Sequence, residues 1–98
     1  MNTFNLVGRI TDEPERFESA NGVKVCRIRV SIEKSGKDQD EGYDVYEVAL
    51  FRTLAEEKLE VGQCVALSGK LQANNLEKDG NTYYSARLVG NVLEKLGA

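Results

Sequence analysis

Residues 23–51 read VKVCRIRVSIEKSGKDQDEGYDVYEVALF. In the first third, Cys26, Ile28, Val30 and Ile32 fall on one face and Val25, Arg27, Arg29 and Ser31 on the other, the period of two that marks a strand with one buried face. In the last third, Tyr46, Val48 and Leu50 alternate with Val45, Glu47, Ala49 and Phe51. Between them SGKDQDEG, residues 35–42, has no hydrophobic side chain to bury against the entropy of ordering, so it is expected to form a mobile loop of a kind that often closes over ligands. The pattern predicts strands over 23–32 and 43–51. A phenylalanine at 51, on the same side as polar and small residues, needs a reason to be there.

Working outward, Asn21-Gly22 suits a tight hairpin turn because both residues tolerate positive φ. Before it, Phe4, Leu6, Gly8 and Ile10 alternate with Asn5, Val7 and Arg9, predicting a strand over 4–10 that stops at Thr11-Asp12-Glu13-Pro14. After Phe51, Thr53-Leu54-Ala55-Glu56 fits a capping box and Gly62 can end the segment, which predicts a helix of about two turns. Residues 64–72 and 83–93 read as two further strands, joined through the turn Lys78-Asp79-Gly80-Asn81. Five strands with one short helix between the third and fourth fit a small closed barrel better than alternating βαβ units. The expected fold is an all-β, five-stranded OB barrel occupying residues 1–98 as a single domain.

Composition sets limits on function. The 98 residues are 41% hydrophobic and 30% charged, with no apolar run approaching the roughly 18–20 residues of a membrane span. The N-terminus, Met1-Asn2-Thr3-Phe4, enters the first strand without the regions of a signal peptide, so a cytoplasmic location is expected. Histidine is absent, and Cys26 and Cys64 sit in strand patterns without CxxC spacing, which excludes the usual zinc sites and leaves two small, reduced sheet residues. No metal or cofactor is expected. The absence of histidine also removes the commonest acid–base group, and residues 62–70 miss the spacing and the final Ser/Thr of a phosphate loop. The chain is not expected to be an enzyme.

The net charge of -3 argues against a surface that attracts nucleic acid by bulk positive charge, so any such site must be a local patch. Strand parity collects one: Arg9, Arg27, Arg29, Phe51, Lys70, Tyr83 and Arg87 all lie on non-core faces, five of the 13 basic residues among them. The acids concentrate elsewhere, at 12–18, 38–44 and 56–60, with Glu47 the main intruder. Cations that track phosphates beside aromatic rings that accept bases are the physical basis of sequence-tolerant single-strand binding. Tyr46, on the opposite parity to Phe51, is expected to face the core or a neighbouring subunit.

Four stretches carry a resemblance. Leu6-Val7-Gly8-Arg9-Ile10 with Pro14-Glu15, Asn21-Gly22 with its following strand, Val48-Ala49-Leu50-Phe51 with Leu54-Ala55-Glu56, and Val65 to Leu71 with ALSGKL at its heart resemble, in order and spacing, the OB domain of bacterial and phage single-stranded DNA-binding proteins. The resemblance implies sequence-tolerant binding and protection of single-stranded DNA in replication, recombination or repair. It also implies a cytoplasmic, nucleoid-associated protein that assembles as a homodimer or homotetramer. Phe51 matches a base-stacking aromatic of the family, and Tyr83 borders the same groove. For both, the competing reading is a purely structural residue, at a barrel end or subunit interface in the case of Phe51. Arg27, Arg29 and Arg87 coincide with the family's groove. The departures from the family are a lack of tryptophan, Val45 and Leu76 where two platforms would be expected, and a shorter helix. The sequence also stops at Leu96-Gly97-Ala98 without a Gly- and Pro-rich linker and acidic tip, so recruitment of replication or repair proteins through such a tail is expected to be absent. The rival reading is an OB-fold accessory module of a primosome-like complex with weak DNA binding.

Overall fold

In a computed structural model, which describes residues 1–33 and 42–97, the alternating runs close into a barrel. The strands are β1 (Phe4–Ile10), β2 (Glu15–Glu18), β3 (Lys24–Glu33), β4 (Tyr43–Phe51), β5 (Cys64–Ala73), β6 (Leu76–Lys78), β7 (Asn81–Tyr83) and β8 (Ala86–Leu96). Five of them make the barrel in the order β1-β5-β8-β4-β3, and β1 returns to β3 through Arg9 opposite Ser31 and Ile10 opposite Val30. All neighbours run antiparallel except β4 and β8, which meet in parallel at Val48–Leu88 and Ala49–Val89. This is the five-stranded OB barrel expected from the sequence, with one 3₁₀ turn as its only helical element among the described residues.

The inward parity holds for the residues that fill the barrel. Ile10, Cys26, Ile28, Val30, Val48, Leu50, Val65 and Leu67 are buried, each aliphatic side chain contributing on the order of 1.5–3 kcal/mol by leaving water. Where β5 crosses β8, the register shifts between Ser68 and Gly69. A Cβ on Gly69 would lie 1.9 Å from the Val89 carbonyl oxygen, so only glycine lets the two backbones approach.

The strand β2 is an addition to the expected count. β4 occupies one edge of β3, while β1 pairs with the far part of the other edge and β2 with its near part, Glu15 to Glu18 facing Arg27 to Lys24. The chain bends between them at Thr11, whose N–H donates to the Arg29 carbonyl (3.0 Å), and at Pro14, which has no N–H to give. β2 returns to β3 through Ala20-Asn21-Gly22, in which Gly22 alone takes positive φ (79°), a three-residue loop rather than the two-residue turn expected.

Three further details differ from the sequence reading. The fifth barrel strand begins at Ala86, not at residue 83, because residues 76–83 fold into a separate hairpin, β6–β7, around Asp79-Gly80, both at positive φ. The expected two-turn helix is a single 3₁₀ turn, Leu54–Glu56, and the Thr53 hydroxyl makes no capping bond. Glu57 swings to an extended conformation (φ -63°, ψ 140°), which brings Leu59 into the barrel end beside Ala55. Arg16 donates to the carbonyl oxygens of Ala55 and Glu57, satisfying the end of the turn from outside. The loop expected at residues 35–42 lies, Gly42 apart, outside the described residues.

No helix among the described residues is long and apolar enough to cross a membrane.

Candidate nucleic-acid interface

Residues directly opposite each other in a sheet share a face. On the outer face of β3, Val25 lies opposite Phe51 on β4 and Phe17 on β2; Arg27 lies opposite Ala49 and Glu15; Arg29 lies opposite Glu47. The same face continues across the parallel seam, where Val89 sits opposite Ala49 on one side and Lys70 on the other, with Arg87 opposite Gln72. Phe51, Arg27, Arg29, Lys70 and Arg87 are therefore on one surface. Val25, outward by parity, is nonetheless only 6% exposed, because a phenylalanine covers it from each flanking strand.

Two phenylalanine–arginine stacks stand on this surface. The Arg87 guanidinium carbon lies 5.6 Å from the centre of the half-buried Phe51 ring, and its Nη2 donates to Gln72 Oε1 at 2.8 Å. The Arg27 guanidinium carbon lies 4.9 Å from the centre of the Phe17 ring. Each stack is worth roughly 0.5–1 kcal/mol at an exposed site and holds a cation beside a flat apolar face.

The arginines of β3 have acidic partners. Arg27 pairs with Glu15 (3.2 Å) and Glu47 (3.8 Å), and Arg29 with Asp12 (3.2 Å) and Glu47 (3.7 Å). The hydrogen bond that Arg29 Nη1 donates to Asp12, and then the charges of Asp12 and Glu47, raise the Arg29 pKa. Asp12 and Glu15 thus reach onto the basic face, which corrects the expectation that Glu47 is the main acid there: the bend at Thr11 and the pairing of β2 carry them to it. Exposed pairs of this kind are worth about 0–1 kcal/mol, so a phosphate oxygen offering a charge-assisted, bidentate alternative can displace them. The Lys70 side chain makes no ion pair or hydrogen bond among the described residues and is exposed.

Arg9, opposite Ser31, shares the outer parity of Arg27 and Arg29 but engages the barrel end, and Tyr83 is set apart from this cluster. Arg9 Nη1 donates to the Gly62 carbonyl at 3.1 Å, at the barrel end. Tyr83, 54% exposed, stands on the β6–β7 hairpin opposite Leu76, and not in the barrel strand expected to carry it. Ser85 Oγ donates to the Asn74 carbonyl (2.6 Å) and Asn74 N–H to the Ser85 carbonyl (2.8 Å), which fixes the hairpin's base. Val45 and Leu76 are exposed, as is Tyr46, which has the inward parity of its partner Val30 but is 40% exposed and so lies outside the core. Both cysteines are free, and burial pushes the Cys26 thiol up in pKa.

The sequence reading missed Phe17. The signal was the alternation of Glu15 and Phe17 against Arg16 and Glu18 just before an Asn-Gly turn, which folds Phe17 back onto the outer face of the next strand.

The profile of the single-strand binding protein family matches residues 1–96. A single-stranded DNA-binding protein of Oceanobacillus iheyensis is 28% identical over 102 residues, covering 98% of this chain and 63% of its own length. One from Neisseria meningitidis is 29% identical over 105 residues, covering 99% of this chain and 60% of its own length. The chain thus spans somewhat under two thirds of these relatives. Among solved structures, a deletion mutant of the single-stranded DNA-binding protein from Thermus aquaticus has the same fold, with a TM-score of 0.80 at 21% identity, covering 99% of this chain and 51% of that one.

Proposed function

Because the chain belongs to the single-strand binding protein family, we propose that it binds single-stranded DNA with little regard to sequence and shields it during replication, recombination or repair, without catalysing a reaction. The observation that supports this reading most is the shared surface of Phe51, capped by Arg87, with Arg27, Arg29 and Lys70. Flat rings accept any base because every base has a π face, and the cations follow the backbone. In this reading Tyr83, carried out on the β6–β7 hairpin, meets DNA at the margin, and Arg9 meets it where the strand leaves the barrel end. A homodimer or homotetramer, acting in the cytoplasm at the nucleoid, completes the proposal.

The second reading, an accessory module that binds DNA weakly, draws on Val45 and Leu76, exposed aliphatic residues at two positions where stacking rings were expected. One experiment separates the two: titration of a labelled oligothymidine, longer than the roughly 4–16 nucleotides one such barrel covers, at several salt concentrations and against duplex competitor. Four to six phosphate contacts at about 0.7 each give a log–log salt slope of roughly -3 to -4. Binding with that slope that duplex fails to displace is expected. Binding no better than nonspecific at low salt overturns the reading in favour of the accessory module.

A further inference from the structure

We infer that Phe17, on the edge strand β2, is a second base platform that extends the DNA surface across β3. The inference rests on the single-strand-binding reading above. Three observations carry it. Phe17 is 43% exposed although it belongs to a large apolar residue type. It stands in register with Phe51, the two rings flanking Val25 from opposite sides of β3, so their backbones are about 10 Å apart at the usual strand spacing. Its ring carries a stacked guanidinium, as Phe51 does, so the face repeats one unit: a ring for a base with a cation beside it for the adjoining phosphate.

The geometry gives the bound strand a direction. A chain of nucleotides that places one base on Phe51 and a later one on Phe17 crosses β4, β3 and β2 in turn, passing Arg27, which lies diagonal to both rings. Glu15 and Glu47, which hold Arg27 in the free protein, are displaced from it along this path. A ring that served only to cover Val25 would be replaceable by any aliphatic side chain of similar size, and this is what the test exploits.

Two variants of the full chain address the inference. Phe17→Leu keeps Val25 covered and removes the π face; its affinity for oligothymidine is expected to fall about 5- to 150-fold, the range that one base–aromatic stack represents. Phe17→Trp introduces the chain's only tryptophan, so its fluorescence reports that position alone; stacking against bases is expected to quench it in proportion to bound DNA. A Phe17→Leu variant that binds like the wild type, or a Phe17→Trp variant whose emission DNA leaves unchanged, overturns the inference. If the wild type binds and Phe51→Leu weakens it, those results remove Phe17 alone from the surface. If the wild type itself does not bind oligothymidine, the single-strand-binding reading fails for this chain and Phe17 falls with it.

Discussion

Glu47 lies directly across the β3–β4 ladder from Arg29, its carboxylate 3.7 Å from the guanidinium Nε, and also reaches Arg27 at 3.8 Å. One carboxylate thus holds, in the free protein, two arginines of the proposed DNA surface. Glu47→Gln is expected to tighten single-stranded DNA binding by roughly 1.5- to 5-fold for each of the two exposed pairs it releases, at about 0.2–1 kcal/mol apiece. Polarisation titration checks this, and weaker binding by the glutamine variant would show that Glu47 organises the arginines rather than competing for them.

Lys70 and Arg29 differ in what they give up on binding. Lys70 has no competing partner among the described residues, whereas Arg29 must release Asp12 and Glu47. Lys70→Ala is therefore expected to reduce the steepness of the salt dependence by about 0.7, one full phosphate contact, and Arg29→Ala by less. Equal effects in a salt series would count against internal competition.

The barrel's tolerance for change is lowest where two backbones cross. Gly69→Ala places a methyl group 1.9 Å from a main-chain oxygen, which cannot move aside as a flexible side-chain end can. The variant is expected to lose more than about 3 kcal/mol or fail to fold, measured by urea denaturation. Unaltered stability would mean that the β5–β8 crossing can open without loss.

The pair Lys24–Glu56, at 2.6 Å, ties β3 to the 3₁₀ turn. The hydrogen bond and then the charge of Lys24 lower the Glu56 pKa, and the hydrogen bond and charge of Glu56 raise that of Lys24. A lowered carboxylate pKa gives stability that is present above its unfolded value and fades as pH falls through the folded value; the raised lysine loses its share only in strong alkali. Glu56→Gln is thus expected to leave stability less dependent on pH at the acid end, with a small effect because both groups are exposed. Thermal melts across the acid range test it; an unchanged acid limb would mean the pair contributes nothing there.

Period-two alternation was enough to read the barrel strands, since Ile10, Ile28, Val48 and Val65 declare their face whatever the partner. The four-residue β2 and the β6–β7 hairpin were not legible, because they are short and neither buries a side chain that would mark a face. The same reason hid Phe17 and moved Tyr83. The basic cluster on β3, β5 and β8 followed from parity alone, but its acidic partners did not, since Asp12 and Glu15 arrive through a bend around Pro14 that no periodicity encodes. At residues 53–56 a sequence that satisfies the capping box yields one 3₁₀ turn, because burying Leu59 in the barrel end outweighs the local helix signal.

Arginines already held by carboxylates, on a chain of net charge -3, project little positive potential into the surrounding solvent. DNA is then not drawn in from a distance: association is expected near the unsteered range of about 10⁵–10⁶ M⁻¹s⁻¹, with the salt sensitivity residing in the rate of release. Selection for an unpaired strand would be made after collision, by which polymer can offer bare bases to the rings, rather than by how strongly each is attracted.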